Sequence, residues 1–450
     1  VKSYLWIGAK IEVERTMVEI IPFTATILNP ELENRTELVC PVYDTIDAQQ
    51  YERYAARENN VIHFTTRRDG LAEDEFIASA TRSLARFFRE GLLTVRARPS
   101  FYLYGVRYTV PEGIAAQLPA GKRTEVYVCF GLVALVKVGQ RNEPAIVGHE
   151  RTFEAKTQER VHLMRACGMN FSPIVAEYSM PGHELNRLFE TYLGVLRPDL
   201  KLREQRKPLV DVEVNGAHHL LWEIADDSLI ERIQELMRDK ELMILDGHHR
   251  YTAACQLSQD LAEGTAYTLM TLVEGGDRAL LLLPWHRCVR ACHMAELRQR
   301  IEAYFAVEPL DRDAGEAALY KQLHESGGGL DVRFLMYDGD RFYLLRADEQ
   351  RVRQLANERG ERVGLDVISL HEWLIGPTLI GKPEDLVFTA SPREAVDNVN
   401  KGGFQVAFIL KPLQIAEVEY KAHSERKPFP QKSTLFLPKV AEGVVMWRWK

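Results

Sequence analysis

The residue types best able to do chemistry in this chain crowd into one stretch, Asp246-Gly247-His248-His249-Arg250. The apolar run before it, Leu242-Met243-Ile244-Leu245, is too short for a helix and suits a buried strand. Asp246-Gly247 breaks that strand, and the pattern from Arg250 through Cys255 is helical. A strand-to-helix turn leaves the N–H groups of the first helical turn without intrahelical partners. With His248, His249 and Arg250 beside them, those groups form a seat for a phosphate or a carboxylate. Arg250 would pair its guanidinium with phosphate oxygens, and Asp246 would fix a histidine tautomer or hold a hydroxyl or Mg2+. The plainer alternative is a polar turn whose aspartate caps the helix and whose histidines are ordinary, partly exposed residues.

Two other stretches carry side chains of the same kind. His149, Glu150, Arg151, Lys156 and Arg160 lead into and line a segment that is helical in pattern over 156–167. Glu150 would deprotonate a substrate hydroxyl, with His149 in the same catalytic set, while Arg151 or Lys156 offsets charge on a transferring phosphoryl group. The alternative is a set of surface charges capping and lining that helix. Lys432-Ser433-Thr434 resembles the end of a phosphate loop, but the glycines of a Walker A motif are missing and Pro428 and Pro430 remove N–H groups from such a cradle. What survives is Lys432 or Lys439 closing over a phosphate, with Ser433 and Thr434 facing the site or satisfying backbone groups. His286, Cys288, Cys292 and His293 are zinc-ligand types, but at no standard spacing, and no metal is assigned to them.

The elements that must position these groups belong to a chain of ordinary composition. Its 450 residues exceed what one hydrophobic core usually supports, so more than one domain is expected. The net charge of -7, from 57 basic and 64 acidic residues, argues against a nucleic-acid binder. The six cysteines are scattered without a CxxC pair, which fits a reducing, cytoplasmic setting better than a disulfide scaffold. The opening Val1-Lys2-Ser3-Tyr4-Leu5-Trp6-Ile7-Gly8 is apolar only briefly and runs into charged residues, unlike a signal peptide. The longest clean apolar run, Ala279 to Pro284, is strand-sized, so no membrane span is expected.

Periodicity predicts a mixed α+β chain. Strands are expected at 17–23, 61–64, 101–108, 124–138 with a bend or bulge at Gly131, 174–178, 212–224 as a hairpin, 242–245 and 267–272. Helices are expected from Ala48, capped by Asp44 or Thr45, from Glu73 to Gly91, over 156–167, 185–208 and 226–240, and after Arg250. Beyond about residue 294 a second unit follows, with helices at 294–304 and 315–325, a hairpin over 332–345 and a strand-like Val367-Ile368. The division is a core of residues 1–300 carrying the turn, a second α+β domain of 301–415, and a tail of 416–450. The tail concentrates Phe436, Leu437, Val440, Val444, Val445, Met446 and Trp447, and leaving them exposed would forfeit roughly 1.5–3 kcal/mol each, so it should dock on the core.

The Asp246-Gly247-His248-His249-Arg250-Tyr251 turn resembles the signature of the DUF1015 family of uncharacterised prokaryotic proteins. Co-linear support comes from Ile21-Pro22-Phe23, Cys40-Pro41-Val42-Tyr43-Asp44, Gly148-His149-Glu150-Arg151-Thr152, Asn170-Phe171-Ser172-Pro173, Leu283-Pro284-Trp285-His286-Arg287 and Pro430 to Lys439. The turn also looks like the phosphate-binding turn of the ParB/sulfiredoxin-type fold. That fold includes a CTP-binding chromosome-partitioning protein, an ATP-using sulfinic acid reductase and an ADP-dependent free serine kinase. The reductases carry a cysteine where this chain has His248, whereas the kinase's Asp-Gly-His start is similar. The resemblance implies a ParB/sulfiredoxin-like core and ATP, ADP or CTP as ligand, with Mg2+ as companion. Together with the residues it points to a small-molecule phosphotransferase. The alternatives are a regulatory protein that binds a nucleotide or metabolite without turnover, and a nuclease or other phosphate-ester hydrolase.

Overall fold

The computed structural model describes residues 18–449 except 116, 119–121, 139–144, 195–205, 261–264, 311–318, 320–321, 324–331, 360–364, 380–384 and 426–427. The opening stretch, the far end of the helix expected over 185–208 and most of the one expected over 315–325 therefore lie outside the described residues.

A nine-stranded mixed sheet forms from β1 (Ile20–Ile21), β2 (Phe101–Thr109), β3 (Val126–Lys137), β4 (Ile146–Gly148), β5 (Ile174–Tyr178), β6 (Val210–Val214), β7 (Ala217–Ile224), β8 (Leu242–Asp246) and β9 (Tyr267–Glu274). The order is β6-β7-β2-β3-β9-β5-β8-β4, with β1 added to β3. Only β4 with β8 and β5 with β9 run parallel. Both faces are buried, which explains strands that read as nearly continuous apolar runs. Along β2, Phe101 and Leu103 face one core with Leu185, Phe189, Ile230 and Ile233, while Tyr102 and Tyr104 face the other. The register of β3 with β2 and β9 passes through Gly131 without a shift, so no bulge sits there. Glycine is required instead by close approach, since a Cβ would lie 2.4 Å from Thr271 Cγ2.

Helix α1 (Glu154–Cys167) follows β4, α2 (Asp227–Met237) delivers the chain to β8, and α3 (His248–Asp260) leaves it. Two expected strands are helical turns, Ile62–Thr65 and Asp366–Ser369. Each is so buried that no exposed residue reveals its period. The helix Ala48–Ala55 is capped by Asp47 rather than by Asp44 or Thr45, through a capping box with Gln50.

The second sheet is wholly antiparallel. It is built from β10 (His286–Val289), β11 (Phe305–Pro309), β12 (Arg333–Tyr337), β13 (Phe342–Ala347), β14 (Leu386–Thr389) and β15 (Val406–Leu410), in the order β11-β13-β12-β15-β10-β14. The nine-stranded sheet ends at Glu274 and the second sheet begins at His286, with Leu281–Leu283 between them in a two-stranded sheet of its own. After α4 (Ile415–Glu425) the tail docks as expected. Leu435–Leu437 pairs with Leu281–Leu283, Ala441–Glu442 with Cys40–Pro41, and Met446–Arg448 with both Ala25–Leu28 and Met169–Asn170. Phe429, Phe436, Val440, Val444, Val445 and Met446 are all buried. Among the described residues no helix is long and apolar enough to cross a membrane.

Candidate functional site

β8 ends at Asp246, and Gly247 turns the chain at φ +90° so that Tyr251 N–H donates to Gly247 O at 2.9 Å and α3 begins at His248. The side chain of Arg250 folds back beneath this turn, where a Cβ on residue 247 would lie 2.9 Å from its Nε. Arg250 is 6% exposed and donates to Ser172 Oγ at 2.9 Å, Pro173 O at 2.7 Å and Asp246 Oδ2 at 3.1 Å. Its two Nη groups are engaged by the protein while Nε has no acceptor among the described residues, so the guanidinium braces the turn from behind and lies outside the lining of the cavity in which a ligand phosphate was expected. Asp246 is gripped from the other side by Lys439 Nζ at 3.0 Å. Burial pushes its pKa up, but Lys439 and Arg250 more than offset this and hold it at about 2. It is a fixed anion at the hub of the turn.

The N-terminus of α3 opens into a cavity of about 480 Å3, a size usual for small-molecule sites. Of the residues singled out in the sequence, Glu150, Arg151, Lys156, Asp246, Gly247, His248, His249, Lys432, Thr434 and Lys439 line it. His149, Arg160, Arg250 and Ser433 do not; each is buried behind the lining. Arg160 donates to Thr65 O at 2.9 Å, pairs with Glu159 and lies 4.2 Å over the Tyr43 ring. It belongs with Arg250, Ser172 and Glu442 to a polar layer under the turn, where its charge serves packing and not a ligand in the main cavity.

Hydrogen bonds fix the protonation of the imidazoles. His248 Nε2 accepts from His149 N–H at 3.2 Å, and His249 Nε2 accepts from Phe153 N–H at 3.0 Å. Burial holds His248 down at about 4, and burial with Lys156 nearby lowers His249. Both rings are therefore neutral near pH 7, and each must carry its proton on Nδ1 as a donor. His149, lowered to about 3 by burial and by His248, lies with Nε2 2.9 Å from Thr434 Oγ1. Thr434 in turn donates to Glu150 Oε1 at 3.2 Å. That same carboxylate oxygen accepts the N–H groups of Ser433 at 3.1 Å and Thr434 at 3.3 Å. Glu150 thus clasps the tail to the loop before α1.

Two residues matter here that the sequence did not mark as functional. Arg287 is fully buried and donates to Gln431 O at 3.3 Å, Lys432 O at 2.9 Å, His371 Nε2 at 3.1 Å and Trp285 O. Burial brings its pKa down to about 9. It orders the bend at Lys432, which has φ +53° and sets Nζ 4.9 Å over the Trp285 ring in the cavity wall. Asp44 lines the cavity as an exposed carboxylate with no hydrogen bond or ion pair among the described residues. Its signal was its place in Cys40-Pro41-Val42-Tyr43-Asp44, obscured by reading it as a helix cap. Near the other candidate group, His286 Nδ1 accepts from Leu410 N–H at 3.2 Å, and no cluster of three or more His, Cys, Asp or Glu fit to hold a metal exists among the described residues.

The fold and cavity define a mixed α+β protein in which a strand-to-helix turn faces a cavity lined in part by the chain's own tail. The chain belongs to the family described as "Protein of unknown function (DUF1015)", which residues 20–368 match. No curated protein matches it. Solved structures to which it is similar include a conserved hypothetical protein from Pyrococcus furiosus, 12% identical, with 65% of this chain and 87% of that one covered and a TM-score of 0.32. Another is a free serine kinase in complex with AMP, 13% identical over 65% of this chain and 84% of that one, at a TM-score of 0.31. A third is SbnI from Staphylococcus aureus with a C-terminal truncation, 13% identical over 69% and 85%, at 0.33.

Proposed function

We propose that the protein binds a nucleotide in this cavity and transfers a phosphoryl group from it to a small-molecule acceptor. One observation carries the reading: the α3 N-terminus, the neutral donors His248 and His249, and the cations Arg151 and Lys156 line one cavity. Arg151 and Lys156 have no ion-pair partner among the described residues, so their charge is available to an incoming anion. Helix N-H groups and cations together suit a phosphate chain. Apolar walls at Tyr108, Ile114, Val214 and Ala217 suit the remainder of a nucleotide.

In the transfer, the acceptor hydroxyl oxygen attacks the terminal phosphorus, the bond from that phosphorus to the bridging oxygen breaks, and the nucleotide leaves one phosphate shorter. The hydroxyl proton passes to a carboxylate. Asp44 suits that role better than Asp246, which is locked between Lys439 and Arg250, or Glu150, which clasps the tail. Arg151, Lys156 and Lys432 would meet the charge on the transferring group. Mg2+ typically takes one or two carboxylates besides phosphate oxygens, and Asp44 and Glu150 are the cavity's candidates to hold it; once bound, it would neutralise phosphate charge.

Calorimetric titration of the full chain with ATP, ADP and CTP, with and without Mg2+, tests the binding, and label transfer from nucleotide to a metabolite pool tests the chemistry. Replacing Arg151 and Lys156 together by alanine should weaken nucleotide binding about tenfold or more, since each charged hydrogen bond contributes on the order of 1.5 kcal/mol, without moving the unfolding midpoint. Asp44→Asn should keep the nucleotide binding measured without Mg2+ and lose transfer. Failure of every nucleotide to bind at millimolar concentration sinks the proposal, while saturable binding without transfer in the wild type replaces the enzyme by a nucleotide-binding regulator.

A further inference from the structure

The β7 wall of the cavity carries a histidine that the phosphate seat does not use. His219 lines the cavity yet is only 3% exposed. Its Nδ1 lies 3.0 Å from Tyr104 Oη, and that oxygen already accepts the N–H of Ala441 at 3.1 Å. Burial pushes the Tyr104 hydroxyl well above its ordinary pKa, so it keeps its proton and directs it at Nδ1. Burial, with His218 beside it, holds His219 at about 3, so the ring is neutral and its single proton sits on Nε2. That N–H has no acceptor among the described residues. A donor on a cavity wall with no protein acceptor marks where a ligand's acceptor belongs.

Asn215 supplies a second donor on the same lining. Its Oδ1 accepts from Arg53 Nη2 at 2.9 Å and from Tyr54 Oη at 3.0 Å. Arginine only donates, so the amide oxygen is fixed on that side and Nδ2 is the group left over. Val214 and Ala217 flank this corner with apolar surface. The corner is close to the phosphate seat, because one stretch of tail touches both: Lys439 Nζ holds Asp246, and Ala441 N–H reaches Tyr104. The Cα atoms of those two residues are at most about 7 Å apart, and seat and corner line the same cavity, so both face one bound ligand.

We infer that His219 Nε2–H, with its tautomer set by Tyr104, and the Asn215 amide recognise the heterocyclic base of the nucleotide by donating to a ring nitrogen or carbonyl oxygen. The inference rests on the nucleotide reading above and adds which residues select the base. A neutral donor suits an uncharged base in an apolar corner, where a cation would lose hydration without a counter-charge. His219 is then a binding residue and Tyr104 a positioning residue.

The test titrates the full chain with inorganic tripolyphosphate and with ATP, GTP and CTP. The wild type should bind at least one of the three nucleotides tenfold or more tighter than tripolyphosphate. His219→Phe should remove that advantage and leave tripolyphosphate affinity unchanged. His219→Gln, which returns an N–H near the place of Nε2, should recover most of it, and Tyr104→Phe should lose part of it. The imidazole nitrogen spectrum of the wild type should show the His219 proton on Nε2, a readout independent of any variant's folding. Equal binding of tripolyphosphate and all three nucleotides, a His219→Phe effect shared by both ligand classes, or a proton on Nδ1 overturns the inference while leaving the phosphate seat standing. Failure of every ligand to bind the wild type overturns the nucleotide reading and this inference together.

Discussion

Removing Arg250 would leave Asp246 with Lys439 as its one counter-charge and take the donor from Ser172 Oγ and Pro173 O in a buried layer. Breaking a buried ion pair at one partner costs about 3–5 kcal/mol, because the remaining charge stays buried. Arg250→Ala should therefore lower the unfolding free energy obtained from denaturant titration by about 3–5 kcal/mol. Lys156→Ala, at an exposed position on the cavity rim, should move it by no more than about 0.5 kcal/mol. The two variants separate support of the turn from contact with a ligand. Equal midpoints for both would mean that the fold does not depend on the Arg250 fork. The sequence gives no means of telling these roles apart, since side-chain direction decides them: Arg250 points under the turn that it terminates, and Lys156 points at solvent.

The tail is the element on which the cavity depends, and Arg287 is what shapes its bend. Arg287→Met keeps most of the buried volume and removes the donors to Gln431 O and Lys432 O. Replacing a buried charge by apolar volume is often close to neutral for stability, so the second sheet should persist while the bend loosens. Trypsin should then cut after Lys432 severalfold faster than in the wild type, with the far-ultraviolet dichroism unchanged. An unchanged cutting rate would mean that the Leu435–Leu437 pairing alone fixes the bend. Much of this architecture was legible. The strand before Asp246 and the helix after Gly247, the hairpin ending in β7 and the tail's burial all follow from apolar patterning strong enough to survive any tertiary context. Ile62–Thr65 did not, although Asn60 held a clue: it donates to Glu37 O and Val39 O, and its Oδ1 accepts the N–H of Ile62, as a residue opening a helical turn does. The Tyr104–His219 pairing and the Arg287 clasp were illegible for another reason. Each joins positions more than a hundred residues apart, and no local period encodes such contacts.

Across the whole molecule the buried imidazoles set how stability responds to acid. Burial holds His149, His219 and His286 at about 3 and His248 at about 4. They are spread over both sheets and the turn between strand and helix. In the unfolded chain each titrates near 6.5, so below that pH the unfolded state takes up protons that the folded state refuses. Their contribution is complete above about pH 6.5 and is lost as pH falls toward 4 for His248 and toward 3 for the other three, at up to roughly 1.4 kcal/mol per pH unit for each histidine. Asp246 acts lower. Its folded pKa of about 2 lies below the ordinary 3.8, so its contribution is kept above pH 4 and lost between about 4 and 2. Denaturant unfolding at a series of pH values should thus show a loss that begins near pH 6.5, above the range where ordinary carboxylates titrate, and that Asp246 joins below about pH 4. His219→Gln should flatten the loss between pH 6.5 and 4 by close to one proton. A free energy that stays level from pH 7 to 4.5 would mean that these rings are charged inside the fold, and the neutral donors on which both the phosphate seat and the base corner are built would be the wrong species.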